Sequence, residues 1–172
     1  PQFFKGDLGY LQAVRDKHPK ALLLRKDFMV DPYQLYEAKA YGADAILIIV
    51  AMTPPAVTKE LFEAAKGLGL AALVEVHDGA ELDAAIELGA TFIGVNNRNL
   101  KTLKTDLGIG RELAARKPKD AVFICESGLS AADDLRDMKS RGYDGFLMGT
   151  SFMRKAQPGA ALRDLQEQLK CA

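Results

Sequence analysis

Residues 71–96 read AALVEVHDGAELDAAIELGATFIGVN, and this stretch decides the fold. An apolar, β-branched-rich run (AALVEV) gives way to a stretch of helical periodicity (LDAAIELG), and a second apolar run (FIGVN) follows almost at once. Asp78 and Glu81 have the spacing of a capping box at the helix start. Gly89 stands where a left-handed residue closes the helix and turns the chain back toward the next strand. Two strands this close in sequence, joined by a helix, imply parallel pairing. The runs are nearly continuous in apolar residues, as in strands covered on both faces.

The same unit recurs on either side. Strand-like runs lie at 22–26, 45–50, 71–76, 91–96, 121–126 and 144–149, separated by helical stretches such as LYEAKAYG, LFEAAKGLG and DLRDMKSRG. Asp31-Pro32 and Thr53-Pro54 read as a cap followed by a proline in the first helical turn, and Ser130 with Asp133 as a weaker capping box. Gly42, Gly69 and Gly142 repeat the helix-closing position of Gly89. The fold class is α/β. No Gly-x-Gly-x-x-Gly turn or Walker loop follows a strand, and polar strand ends are spread over four strands, which favours a barrel over an open sheet. Only six strands are readable in a chain of 172 residues, whereas an eight-stranded barrel typically needs ~250. The chain opens at Pro1-Gln2-Phe3-Phe4, and the helix-like GDLGYLQAVRDKH has no strand before it. The expectation is one β/α-barrel domain over residues 1–172, with strands equivalent to the third to eighth and the first two strands and first helix absent.

Composition narrows the function. The chain is 48% hydrophobic and 27% charged, which excludes a disordered protein. Lys+Arg and Asp+Glu both number 23, so no global charge favours nucleic acid or an acidic membrane. No apolar run approaches a membrane span and no signal peptide is visible, so the expected location is the cytoplasm. Cys125 within a strand and Cys171 near the end read as free thiols, and neither they nor His18 and His77 have metal-ligand spacing, so no metal is expected.

The chemistry lies at the strand ends. Lys26, Glu75, Asn96 and Glu126 each close an apolar run, and alternation places each as the last inward residue above apolar layers. By this parity Leu22 and Leu24 accompany Lys26, and Leu73 accompanies Glu75. Taken singly, each is a solvated strand end or half of a salt bridge. Together, a lysine and two carboxylates over an apolar floor supply an acid and a base. Ser127-Gly128 and Gly149-Thr150 end the last two strands, the latter before a short extra helix over SFMRK. Loops there form the recurrent phosphate pocket of such barrels, to which Arg98 adds a charged fork. Phe4 and Phe28 are either an aromatic wall or core. Arg25 and Asp27 lie on the opposite parity, paired or solvated, and His77 reads as surface. The charged last helix, LRDLQEQLK, is an amphipathic cover.

The segments FFKG, LRKDFMVDPYQLYEAKAYGADAIL, LVEVHD, FIGVNNRNLKT, ESGLS and GFLMGTSFM, in this order from Phe3 to Met153, resemble the indole-3-glycerol-phosphate synthase family of tryptophan biosynthesis. The resemblance implies a TIM (β/α)8 barrel and a cofactor-free carbon-carbon lyase. That enzyme closes, decarboxylates and dehydrates 1-(2-carboxyphenylamino)-1-deoxyribulose 5-phosphate to indole-3-glycerol phosphate. It implies Lys26 as general acid, Glu75 as general base, and Asn96 and Glu126 as residues that orient and stabilise intermediates. Ser127, Gly128, Gly149, Thr150 and Arg98 would hold the phosphate, and Phe4, Phe28 and Leu147 would touch the aryl group. The family's further Glu and Lys on its first strand, and its N-terminal helical extension, have no counterpart here, and Thr150 stands where the family often has Ser. Two other readings stand beside the enzyme. One is a catalytically incomplete barrel fragment acting as a sugar-phosphate-binding or complementation module; the other is a relative of phosphoribosyl-anthranilate isomerase, which the Lys26–Glu75–Asn96 set counts against. The expected partner is a phosphorylated small molecule, with a monomer if the barrel is complete and self-association if it is truncated.

Overall fold

The computed structural model describes residues 6–170. The chain divides into two compact units, Pro1–Glu75 and Val76–Ala172.

The first unit contains α1 (Gly9–Lys17), β1 (Leu24–Arg25), α2 (Tyr33–Ala40), β2 (Ala45–Ile49), α3 (Pro55–Gly67) and β3 (Ala71–Val76), whose last residue crosses the boundary. β1 pairs with β2 and β2 with β3, both in parallel, with Arg25 opposite Ile46 and Ile49 opposite Glu75. Spacings of three and four residues give α2 and α3 their inner stripes: Leu35 and Ala38 on one, Thr58, Leu61 and Ala65 on the other. These stripes meet Ile46 and Ile48 of β2 in a single apolar cluster that also takes in Met29 and Leu70.

The second unit contains α4 (Gly79–Glu87), β4 (Phe92–Asn96), α5 (Leu107–Ala114), β5 (Val122–Glu126), α6 (Ala132–Ser140), β6 (Gly145–Leu147), α7 (Thr150–Met153) and α8 (Pro158–Lys170). β4, β5 and β6 are again parallel neighbours in chain order. Ile93, Val95, Phe123 and Cys125 are fully buried, whereas Val122 and Ile124, on the row that ends at Glu126, are partly open. The expected cover helix is α8, which buries Leu165 and packs on α6 and α7.

The glycine expectations hold at the backbone. Gly42, Gly69, Gly89 and Gly142 all have positive φ, from 64° to 100°. The caps need closer reading. Asp31 accepts from the Tyr33 N–H at 2.8 Å as expected. At Thr53 the hydroxyl bonds the Thr58 hydroxyl at 2.7 Å instead of capping, and Pro54 is extended, so the helix begins one residue later, at Pro55. Asp78 accepts from the Glu81 N–H, but Glu81 reaches past the cap residue to the His77 N–H at 2.9 Å. In α6 the reciprocal acid is Asp134, which accepts from Ser130 and Ala131, rather than Asp133.

Leu22 is a correction. It lies ahead of the short β1 and is 87% exposed, so it forms no part of an apolar floor beneath Lys26. Among the described residues, no helix is long and apolar enough to cross a membrane.

Candidate active site

In the first unit, Lys26 follows β1 and Glu75 ends the pairing register of β3, with β2 between them. The lysine is long enough to reach across, and its Nζ donates to Glu75 Oε2 at 3.0 Å. The two ends of this pair differ sharply: the Glu75 side chain is 2% exposed and the Lys26 side chain 45%. A carboxylate withdrawn from water and bridged to an accessible ammonium concentrates field at a position a small molecule can reach. Arg25, on the other face of β1, is buried and ties the strand end to α2: it donates to the Gln34 carbonyl at 2.6 Å and pairs with Asp27 and Glu37. Phe28 resolves as an exposed loop residue, and its neighbour Met29 as the core one. Phe4 lies outside the described residues, as does Cys171.

In the second unit, Asn96, Glu126 and Leu147 stand opposite one another across β4, β5 and β6, so three of the expected residues form one row. Asn96 and Glu126 are buried. The Asn96 side-chain oxygen accepts from the Arg98 N–H at 3.0 Å, and the Arg98 guanidinium donates to the Leu103 carbonyl, closing a small loop that is also joined by an Arg98–Thr105 bridge. Ser127 and Gly128 both have positive φ, 63° and 79°. For Ser127 that conformation is strained and must be held by its surroundings. Gly149 and Thr150 are exposed at the start of α7, the expected short helix, where the Gly149 carbonyl accepts from Phe152 and Met153.

Sequence reading missed Asn97. Its side chain is fully buried: Nδ2 lies 2.9 Å from the Glu126 carbonyl, 3.3 Å from that of Ser127 and 3.2 Å from Cys125 Sγ, and Oδ1 accepts from the Gly110 N–H at 2.9 Å. The only signal was an Asn doublet just past a strand. Burial, chiefly, pushes the Cys125 thiol up to about 11, so it faces this amide uncharged. His77, expected at the surface, is instead a largely covered partner of Glu81, with Nδ1 3.0 Å from its carboxylate and the side chain 10% exposed. The ring completes the start of α4. Among the described residues no cluster of three or more metal-ligating side chains occurs.

At the opposite ends of the strands each unit carries the same clasp. Asp44 accepts from the Leu23 N–H at 2.7 Å and from Arg15, which also donates to the Gly42 carbonyl. Asp144 accepts from the Phe123 N–H at 2.8 Å and from Lys117, which also donates to the Gly142 carbonyl. The Leu23 N–H and then Arg15 hold the Asp44 carboxyl below its ordinary range; for Asp144 the Lys117 ammonium leads and the Phe123 N–H follows.

Parallel strands alternating with helices, with polar residues at the carboxyl ends, define the class: a β/α fold of the TIM-barrel type, with six strands among the described residues. Solved structures agree. 3-Hexulose-6-phosphate synthase from Salmonella typhimurium superposes with a TM-score of 0.80 over 95% of this chain and 80% of its own, at 18% identity. KGPDC from Streptococcus mutans gives 0.71 over 94% and 78%, at 16% identity. At that identity the likeness speaks for the fold alone. The sequence goes further: the profile of the indole-3-glycerol phosphate synthase family matches residues 1–165. The indole-3-glycerol phosphate synthase of Albidiferax ferrireducens is 46% identical over 164 residues, and that of Azoarcus sp. (strain BH72) 48% over 167. Each match covers 95% of this chain and 62% of the relative, so the chain spans a little over three-fifths of the length of these enzymes. The chain belongs to the indole-3-glycerol phosphate synthase family.

Proposed function

We propose that the protein is a carbon-carbon lyase of the cytoplasm, closing the indole ring of a phosphorylated arylamino-deoxyribulose with loss of carbon dioxide and water. The observation that carries this reading is the 3.0 Å contact between the half-exposed Lys26 and the buried Glu75. Ring closure requires the carboxyl-bearing aryl carbon to attack a ketone, so negative charge grows on the ketone oxygen. A lysine ammonium beside it stabilises that charge and then delivers a proton. Decarboxylation restores the ring, and loss of the resulting hydroxyl as water requires a base, the role of Glu75. Asn96 and Glu126, level on adjacent strands, orient the intermediates, with Leu147 of the same row and Phe28 of the β1 loop against the aryl group. Ser127, Gly128, Gly149, Thr150 and Arg98 hold the phosphate. The left-handed Ser127–Gly128 turn supports this role, because glycine leaves the backbone open to close approach by an anion.

The test is turnover of 1-(2-carboxyphenylamino)-1-deoxyribulose 5-phosphate by the purified full-length protein, followed by indole fluorescence and by released carbon dioxide. The reading expects both signals in equal amounts. Absence of turnover from protein that is folded and binds inorganic phosphate would remove it.

A further inference from the structure

The buried amide of Asn97 belongs to none of the roles above, and its contacts single out one task. It lies immediately after β4, yet its bonds run to β5 and α5. Nδ2 grips the carbonyls of Glu126 and Ser127, the two residues where β5 turns into the left-handed Ser127–Gly128 bend. Its backbone N–H donates to the same Glu126 carbonyl at 2.9 Å, so that oxygen is held twice by one residue. Oδ1 is fixed by the Gly110 N–H, and a Cβ added at Gly110 would lie 2.8 Å from Oδ1. On the far side, Tyr143 Oη donates to the Gly110 carbonyl at 2.9 Å. The amide is therefore oriented without ambiguity: its acceptor faces a backbone N–H and its donors face carbonyls.

We infer that Asn97 is the positioning residue that sets the Glu126 carboxylate and the Ser127–Gly128 phosphate turn together, by clamping the end of β5. The inference rests on the proposed function for what those groups do, and on the described geometry for the clamp itself. Ser127 is a non-glycine residue at φ 63°, a conformation that persists only where neighbouring bonds over-determine it. Asn97 supplies them. The Glu126 carboxylate and the Ser127–Gly128 turn lie on the clamped residues themselves or directly beside them, so releasing the clamp moves a carboxylate and an anion site at once. A residue that only filled space would change stability and leave that pair of properties alone.

The experiment compares wild type, Asn97→Asp, Gly110→Ala and Tyr143→Phe in the full-length protein. Asn97→Asp keeps size and the acceptor to Gly110 but turns a donor into an oxygen facing two carbonyls. Gly110→Ala leaves every Asn97 atom present and pushes the amide out of place. Tyr143→Phe loosens the same cluster without touching the amide, and serves as the control for plain destabilisation. The readouts are inorganic phosphate affinity by titration, kcat and KM for the arylamino-deoxyribulose phosphate, and Tm. For both Asn97→Asp and Gly110→Ala, phosphate affinity should fall roughly tenfold or more, with kcat reduced in parallel. Tyr143→Phe should lose Tm with kcat and phosphate affinity close to wild type. If Asn97→Asp and Gly110→Ala lower Tm only, as Tyr143→Phe does, the clamp is not a positioning device and the inference is overturned while the proposed function stands. If wild type itself neither turns over the substrate nor binds phosphate, both fall together.

Discussion

The two units solve one problem alike and another differently. Where each unit's strands begin, both use a Gly-x-Asp clasp, with the aspartate holding the preceding strand's N–H and a cation from an earlier segment. At the strand ends, the first unit sets out a charged pair, Lys26 with Glu75, while the second suspends Glu126 beside a neutral amide network around Asn97. Repetition at one end and divergence at the other is what a parallel α/β architecture leads one to expect: one end carries stability and the other carries chemistry.

The contrast breaks first at Lys26. Lys26→Ala should lower kcat by about 10²- to 10⁴-fold with inorganic phosphate binding retained, since it removes the proposed proton donor and leaves the second unit's side chains intact. Lys26→Arg should stay near the Ala variant, because a guanidinium keeps the charge but does not release a proton at working pH. Steady-state kinetics on both variants decides it; full activity in Lys26→Arg would reduce the lysine to a fixed charge.

Core packing should separate stability from chemistry. Leu35→Ala empties a fully buried site in the first unit's cluster and should cost about 2–5 kcal/mol in urea unfolding. Unfolding followed by two probes, one in each unit, would then show whether the units lose structure together.

The clasps should behave as twins. Asp44→Asn and Asp144→Asn should each cost about 1 kcal/mol, a modest figure because both carboxylates are more than a third exposed and solvent screens them. The two share no partner, so the double variant should show the sum. Both carboxyls are held below their ordinary range in the folded protein. Their contribution is therefore fully present above the unfolded value of about 3.9 and lost as pH falls below it, through the folded values. Denaturation measured from pH 6 down to 2 should lose part of its acid sensitivity in the double variant. An unchanged profile would separate the clasps from acid unfolding. A helix start should show an effect no larger than one clasp: Asp78→Ala should cost about 1 kcal/mol, visible as a small drop in Tm.

What the sequence made legible follows from the range of the forces involved. Gly42, Gly69, Gly89 and Gly142 could be assigned their left-handed positions because that preference is a property of the residue itself. Caps were legible to within a residue, since the cap type is local but the choice between Asp133 and Asp134 depends on where the chain enters α6. The clasps were half legible. The helix-closing glycines could be read, but the aspartates bond strand N–H groups and cations that only the fold brings to them, Lys117 from 27 residues before Asp144 and Arg15 from 29 before Asp44. Leu22 was misplaced because β1 is only two residues long, too short for alternation to carry back to it. Asn97 was illegible for the clearest reason: its partners lie 13 to 30 residues away and touch it only in the fold.

The central claim is that Lys26 and Glu75 act as one chemical unit, and a double-mutant cycle on turnover tests it most directly. Lys26→Met and Glu75→Gln are each measured alone and then combined in the full-length protein, with phosphate binding as the check on folding. Groups that work as a unit lose almost everything with the first substitution, so the account predicts that the double variant is no slower than the slower single one. Losses that multiply, each substitution costing the same factor whether or not the other is present, would contradict it.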